Sequence, residues 1–225
     1  MRRLFLPLFF GILGTVVLVS LGTWQLQRLT WKESVIADIN ARIASDPVAL
    51  PDQIDVERDK YLPVAVSGTI TEDEIHLLAS TRDVGAVYRL VAAFDTDGGR
   101  RIMIDRGWIK TVDKGTPRPA HDVDVTGNLH WPDERDSYTP ANDVDGNIWF
   151  ARDVDQMAEV LKTEPVLLIV RDDTDGGTIV TPLPIDTATL PNNHLEYVLT
   201  WYGLAIVWVG MTLYYLRRMR KTKKA

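Results

Sequence analysis

The chain has 225 residues, 45% hydrophobic and 25% charged, a balance that argues against a disordered polymer and against a bundle of many membrane spans. It contains no cysteine, which excludes disulfides, thiolate metal sites, cysteine nucleophiles and Cys-x-x-Cys-His haem attachment. The net charge of -6 hides a split: Arg2 and Arg3 open the chain, six bases crowd residues 217–224, and the stretch between holds 31 acids against 17 bases, a net -14 that is a poor match for nucleic acid.

Leu4–Leu21 is an uncharged apolar run carrying Pro7, Gly11 and Gly14, and residues 4–23 read as a first membrane span. No Ala-x-Ala-like site follows Ser20, and Trp24 and Trp31 have the character of interfacial anchors, so the run is expected to remain as an anchor and not be cleaved as a signal peptide. A helical pattern follows, with Trp31, Val35, Ile39 and Ile43 at every fourth position, until Pro47 and Pro51 end it.

Strands come next. Tyr61–Ile70 alternates through Leu62, Val64 and Val66, and Val87–Phe94 and Arg101–Ile109 flank an Asp97-Gly98-Gly99 hairpin turn. Val123–Leu129 and Val166–Arg171 are further strands, and Asp153 is placed to cap a short helix through Lys162 whose apolar side is Met157, Val160 and Leu161. Val64-Ala-Val-Ser-Gly68 and Val123-Asp-Val-Thr-Gly127 look alike, although one such pair does not define a duplicated domain. Tyr197–Leu216 is a second uncharged run that reaches about 30 Å at 1.5 Å per residue. The second span is assigned to residues 195–216, and 217–225 form a basic tail.

Both spans carry their bases on the terminal side. The positive-inside rule then predicts cytoplasmic termini, with residues 24–191 forming an extracytoplasmic α+β domain. That side is the periplasm of a bacterium or the intermembrane space of a mitochondrion, and the absence of an Arg- and Ser-rich presequence favours the bacterial inner membrane. The predicted fold class is therefore an α+β membrane protein, two transmembrane helices flanking a periplasmic β-rich domain built as an antiparallel sheet or open barrel. Trp108, at the end of the hairpin, is expected to be buried in it.

Chemistry is sparse. There is no Gly-x-Gly-x-x-Gly, phosphate loop, Gly-x-Ser-x-Gly or His-Glu-x-x-His, and no nucleophile or acid/base constellation, so an enzyme is not expected. Arg171-x-Asp173-x-Asp175-Gly176 echoes a calcium loop, but Arg stands where the first carboxylate belongs, and the segment reads as a polar turn. Of the four histidines, none has a partner at metal-ligand spacing; His76 reads as a strand or core residue, and His121 and His130 as surface residues bracketing one strand. His194 differs. It follows Asn192 and Asn193 at the start of the second span, and on a helix it shares a side with Tyr197, Val198 and Trp201. One imidazole beside flat apolar walls is what a haem needs, although an interfacial histidine in an aromatic belt meets the same description.

Three stretches give a more specific pointer. They are Gly22-Thr-Trp24-Gln25-Leu-Gln-Arg28-Leu-Thr-Trp31-Lys32, Arg106-Gly107-Trp108, and Pro191-Asn192-Asn193-His194-Leu195-Glu-Tyr197. In this order, around one large loop between two spans, they resemble the Surfeit-locus cytochrome c oxidase assembly proteins, called Shy1 in yeast. That family usually has Asn before its Arg-Gly-Trp, where this chain has Asp105. The resemblance implies a non-catalytic factor that helps haem a, made by the haem a synthase, reach subunit I of cytochrome c oxidase. It implies His194 as axial ligand of the haem iron, and the expected cofactor-binding set is His194, Tyr197, Trp201, Trp24 and Arg28, the last two supplying an opposite wall and a cation for a propionate. Membrane lipid is a further expected partner. The alternatives are a scaffold that binds subunit I and the haem synthase without touching haem, and an extracytoplasmic sensor, for which the tails are too short to hold an output domain.

Overall fold

Between Gly22 and Ile43 the sequence offers no proline and no turn pair, and the helix begun in the apolar run has no reason to stop there. In the computed structural model it does not: α1 runs unbroken over Arg2–Ile43, about 60 Å at 1.5 Å per residue, with Pro7 accommodated in its first turns. The expected span and the expected helix from Trp31 are thus one element. The structure describes residues 2–172, 174, 179–187 and 192–221. Asp173, Asp175 and Gly176 of the expected polar turn, Pro191, and the last four residues of the basic tail lie outside the described residues.

The chain divides into two compact units, Met1–Asp38 with Thr187–Ala225, and Ile39–Asp186. In the second unit the elements after α1 are β1 (Val48–Ala49), α2 (Val56–Asp59), β2 (Pro63–Thr81), β3 (Gly85–Thr96), β4 (Arg101–Lys110), β5 (His121–Leu129), α3 (Val154–Leu161) and β6 (Leu167–Val170). They form one six-stranded sheet in the order β1-β2-β3-β4-β6-β5, and β2 also pairs with β5, so the circuit β2-β3-β4-β6-β5 returns to its start. Antiparallel pairing dominates as expected, in β2·β3, β2·β5, β3·β4 and β5·β6, but the ring is closed and not an open barrel, and β4·β6 and β1·β2 are parallel pairs.

The two look-alike segments turn out to be partners. Val64 lies opposite Gly127, Val66 opposite Val125 and Gly68 opposite Val123, so the segments pair with each other about Val66 and Val125. A Cβ on Gly68 would run into the backbone of Asp95 and Thr96, and one on Gly127 into the Ile169 carbonyl. Each glycine ends its motif where a third strand's backbone crosses close by.

Alternation then fills two layers. Val64, Ile70, Ala92, Phe94, Ile102, Ile104, Val125, Leu129, Leu168 and Val170 pack together inside the ring. Ile75, Leu77, Val91, Ala93, Met103 and Leu167 point the other way, onto Trp149 and the α3 residues Val154, Met157, Ala158 and Leu161. The Asp153 carboxylate accepts from the Gln156 N–H to start α3, as expected, and Lys162 ends it in the left-handed region. Val160, expected on its apolar side, is exposed.

Trp108 is a second correction, half-buried and not buried. Simple alternation from Ile102 and Ile104 would send it into the ring, but Leu90 pairs with Gly107 and Val91 with Asp105, leaving Arg106 as the extra residue of a bulge. The shift hands the interior position to Ile109, which packs with Leu90 and Val180. Gly107, at φ +112°, supplies the backbone turn that only glycine adopts without strain.

In the first unit α4 (His194–Lys221) packs antiparallel on α1. Gly11 faces Thr212, Gly14 faces the Trp208 indole and Gly22 faces the Tyr202 ring, each so close that a Cβ would press on the opposing side chain. Trp208 Nε1 donates to the Gly11 carbonyl at 3.1 Å, and Thr23 and Tyr202 hydroxyls lie 3.1 Å apart. Small residues that let backbones approach are the usual means of pairing helices in lipid, where apolar burial gives no driving force. Both helices are long and apolar enough to cross a membrane.

Candidate functional site

The glycine face of α1 sets the register, and the register selects which polar residues meet. Gly11, Gly14, Leu18, Gly22 and Gln25 follow one another at intervals of three or four, so Gln25 continues the α4-facing stripe by one turn. On α4 the corresponding stripe runs from Trp208 through Ala205, Tyr202 and Val198 to His194. The two stripes end in a hydrogen bond of 2.9 Å between His194 Nδ1 and Gln25 Oε1. An amide oxygen only accepts, so this contact calls for Nδ1 as the donor, and in that tautomer the lone pair lies on Nε2. Nε2 has no hydrogen-bond partner among the described residues.

The other expected site residues divide around this pair. Val198 is buried and Trp201 half-buried, on the His194 side of α4. Tyr197 is 53% exposed and Trp24 56% exposed, and neither is turned into the helix pair. Arg28 is exposed, with its guanidinium 4.1 Å over the Trp31 ring. Gln25 was not among the expected site residues, and the signal that finds it is its place at helical spacing from Gly11, Gly14 and Gly22. Further along the pair, Thr15, Val19, Tyr202, Ala205, Ile206 and Val209 line an open apolar groove of about 510 Å³.

A lone imidazole suits some metals and not others. A bare divalent ion needs three or four protein donors, and no three His, Cys, Asp or Glu side chains converge among the described residues. An iron whose four equatorial positions are filled by a macrocycle needs only one or two.

In the barrel unit the buried carboxylates Asp59 and Asp105, and the mostly buried Glu74, are paired instead. Asp105, fully buried, accepts from Arg89 Nε at 2.5 Å, from Arg152 Nη1 at 3.2 Å and from the Gly107 N–H at 3.2 Å, and Arg152 also pairs with Glu134. Glu74 accepts bidentately from Arg118 and receives His76 Nε2 at 2.6 Å. Burial works to raise the Glu74 carboxyl, but these partners hold it at about 2. His76 is a buried strand residue, as expected. His130 is half-buried, against its expected surface role: burial first, then the charges of Arg152 and Lys60, push it down to about 4. Its ring stacks on Tyr61 at 5.2 Å, and Nδ1 has no partner among the described residues.

Fold and site together define a small α+β barrel domain lying in the sequence between two apolar helices, whose pairing leaves one His194 ring nitrogen without a partner among the described residues. Residues 12–206 match the model of the SURF1 family. The chain is 31% identical over 220 residues to Surfeit locus protein 1 of Xenopus tropicalis, covering 86% of this chain and 70% of that protein. It is 30% identical to the Homo sapiens protein of that name, over 86% of this chain and 72% of the relative. A SURF1-like protein of Rickettsia felis is 31% identical over 90% of this chain and 93% of its own length. The chain belongs to the SURF1 family, and this membership implies a role in cytochrome oxidase assembly.

Proposed function

We propose that the protein is a non-enzymatic assembly factor of haem-copper cytochrome c oxidase that holds haem a through His194 and aids its passage from the haem a synthase into subunit I. The observation that carries the reading is His194 Nε2 at the start of α4, without a partner among the described residues and beside Val198 and Trp201. When bound, the haem would supply an iron able to take a nitrogen ligand. His194 offers that nitrogen, Val198 and Trp201 offer apolar surface, and the groove between the helices offers lining to the farnesyl tail. A single replaceable bond suits a carrier, because release then requires breaking only one. Tyr197, Trp24 and Arg28, being exposed, remain accessible to a ligand edge or a propionate.

The reading also sets the protein in a bacterial inner membrane, with both termini cytoplasmic and the barrel unit periplasmic. Antiparallel pairing of α1 and α4 supports the shared side of the termini, since it brings the basic ends of both helices to one end of the pair.

Two measurements test it. Full-length protein in lipid nanodiscs, titrated with haem a, should give a Soret band that His194→Ala abolishes or strongly shifts; an unchanged spectrum and affinity would refute haem binding by this residue. Deleting the gene should lower haem a-containing oxidase activity with the oxidase genes still expressed, and full activity in the deletion strain would remove the assembly role. A scaffold that binds subunit I without haem is the second reading, favoured by the exposed stripe of Trp24, Arg28, Trp31 and Val35 along α1. It predicts normal oxidase assembly with His194→Ala and a defect on replacing Trp24 and Trp31.

A further inference from the structure

Which nitrogen of a histidine can bind iron is decided by what its other nitrogen does. Neutral imidazole in water favours the proton on Nε2, which blocks the nitrogen at the ring's outer end. In His194 the order is reversed by a neighbour on the other helix: Gln25 Oε1 lies 2.9 Å from Nδ1 and can only accept. We infer that Gln25 is a positioning residue for the axial ligand, fixing His194 in the Nδ1–H tautomer with Nε2 unprotonated and its ring held against α1. The inference rests on the haem reading for its purpose, and on the hydrogen bond alone for its content.

Three features make the arrangement more than a chance contact. Gln25 reaches His194 because Gly11, Gly14 and Gly22 bring the helices together, so the bond is set by helix register and not by a mobile loop. Gln25 and His194 are both half-buried, which restricts the water that would otherwise compete for Nδ1. The bond joins two helices that would each present a lone polar group if separated. Histidine ligands of metals commonly donate their second N–H to an oxygen acceptor in this way, which orients the ring and raises the basicity of the ligating nitrogen. Glutamine, a neutral acceptor, does so without the further push of a carboxylate.

Ring 15N chemical shifts of uniformly His-labelled protein in bilayers, with the His194 signals assigned by their loss in His194→Ala, read the tautomer without any haem. Wild type should show the Nδ1–H form, Gln25→Leu should revert to Nε2–H, and Gln25→Glu should keep Nδ1–H. An Nε2–H signal in wild type, or no change in Gln25→Leu, overturns the inference. With haem bound and reduced, the iron–histidine stretching frequency should fall in Gln25→Leu and rise in Gln25→Glu, and haem affinity should drop about 10–100-fold in Gln25→Leu. Loss of haem in His194→Ala with no spectral effect of either Gln25 variant overturns the inference and leaves the haem reading standing. Haem binding undisturbed by His194→Ala defeats the haem reading itself, a result the tautomer measurement is independent of.

Discussion

Asp105 holds Arg89 and Arg152 together, accepting from both guanidinium groups through the same carboxylate oxygen at 2.5 and 3.2 Å with no exposure to solvent. The two cations come from β3 and from the segment before α3, so the carboxylate ties the sheet to the layer that covers it. Removing it would leave two largely buried positive charges, of which Arg152 alone keeps an ion pair, with Glu134. Asp105→Ala is expected to cost about 3–5 kcal/mol, the usual penalty for stranding one side of a buried ion pair. Denaturant titration of the full chain checks this, and a loss below about 1 kcal/mol would show that Glu134 and water compensate.

Helix pairing depends on glycine. Gly14 admits the Trp208 indole, and Gly14→Leu should push α1 and α4 apart at that turn. The natural chain has no cysteine, so labels can be placed without background. Nitroxides on cysteines introduced at Leu13 and Met211, both exposed, should show a longer or broader distance distribution in Gly14→Leu than in its parent. An identical distribution would mean the glycine face does not set the register.

Acid should weaken the barrel in two stages. His130 has a folded-state pKa of about 4 against an ordinary 6.5, so between these values the unfolded chain binds a proton that the folded one refuses. Stability is therefore full above pH 6.5 and declines as pH falls toward 4. Glu74, held at about 2 against 4.5, adds a second loss as pH falls below 4.5. Melting temperature of the full protein against pH should show both slopes, and His130→Phe, which keeps a ring to stack on Tyr61, should flatten the upper one. A pH-independent melting temperature between 6.5 and 4 would contradict the burial of His130.

Topology gives the plainest prediction. A reporter fused after Ala225 should be active in its cytoplasmic form only, and periplasmic activity would reverse the assignment of both ends.

Much of the barrel was legible because alternation and turn chemistry are local. The Asp97-Gly98-Gly99 turn between β3 and β4, the Asp153 cap and the β5 run all fall where the residues indicate. What escaped depends on contacts distant in sequence. Ring closure and the parallel β4·β6 pair follow from which edges meet, and no single strand encodes that. Trp108 was misread because a bulge at Arg106–Gly107 reverses alternation without changing composition. In the helix pair, His194 stood out by residue type, whereas Gln25 acquires meaning only from the glycine face that carries it to His194. The unbroken α1 was missed for a simpler reason: a change from apolar to polar surface marks a change of surroundings, not an end of helix.

The ring order also dictates when the barrel can close during synthesis. β2, β3 and β4 are consecutive hairpin neighbours and can pair as they emerge, but Met103 waits for Leu167, with β5 and α3 lying between them in the chain. Such long-range pairings incur loop-closure entropy before any contact rewards them, which makes them slow. Until Leu167–Val170 arrives, the edge of β4 at Met103–Asp105 and that of β5 at Gly127–Leu129 lie open to wrong partners. α4 follows β6 in the chain, so this vulnerable interval belongs to a nascent polypeptide in which α1 still lacks its partner helix. A truncation between Leu129 and Leu167 therefore produces a fragment with two unsatisfied strand edges, a species built to aggregate and to be cleared by proteases.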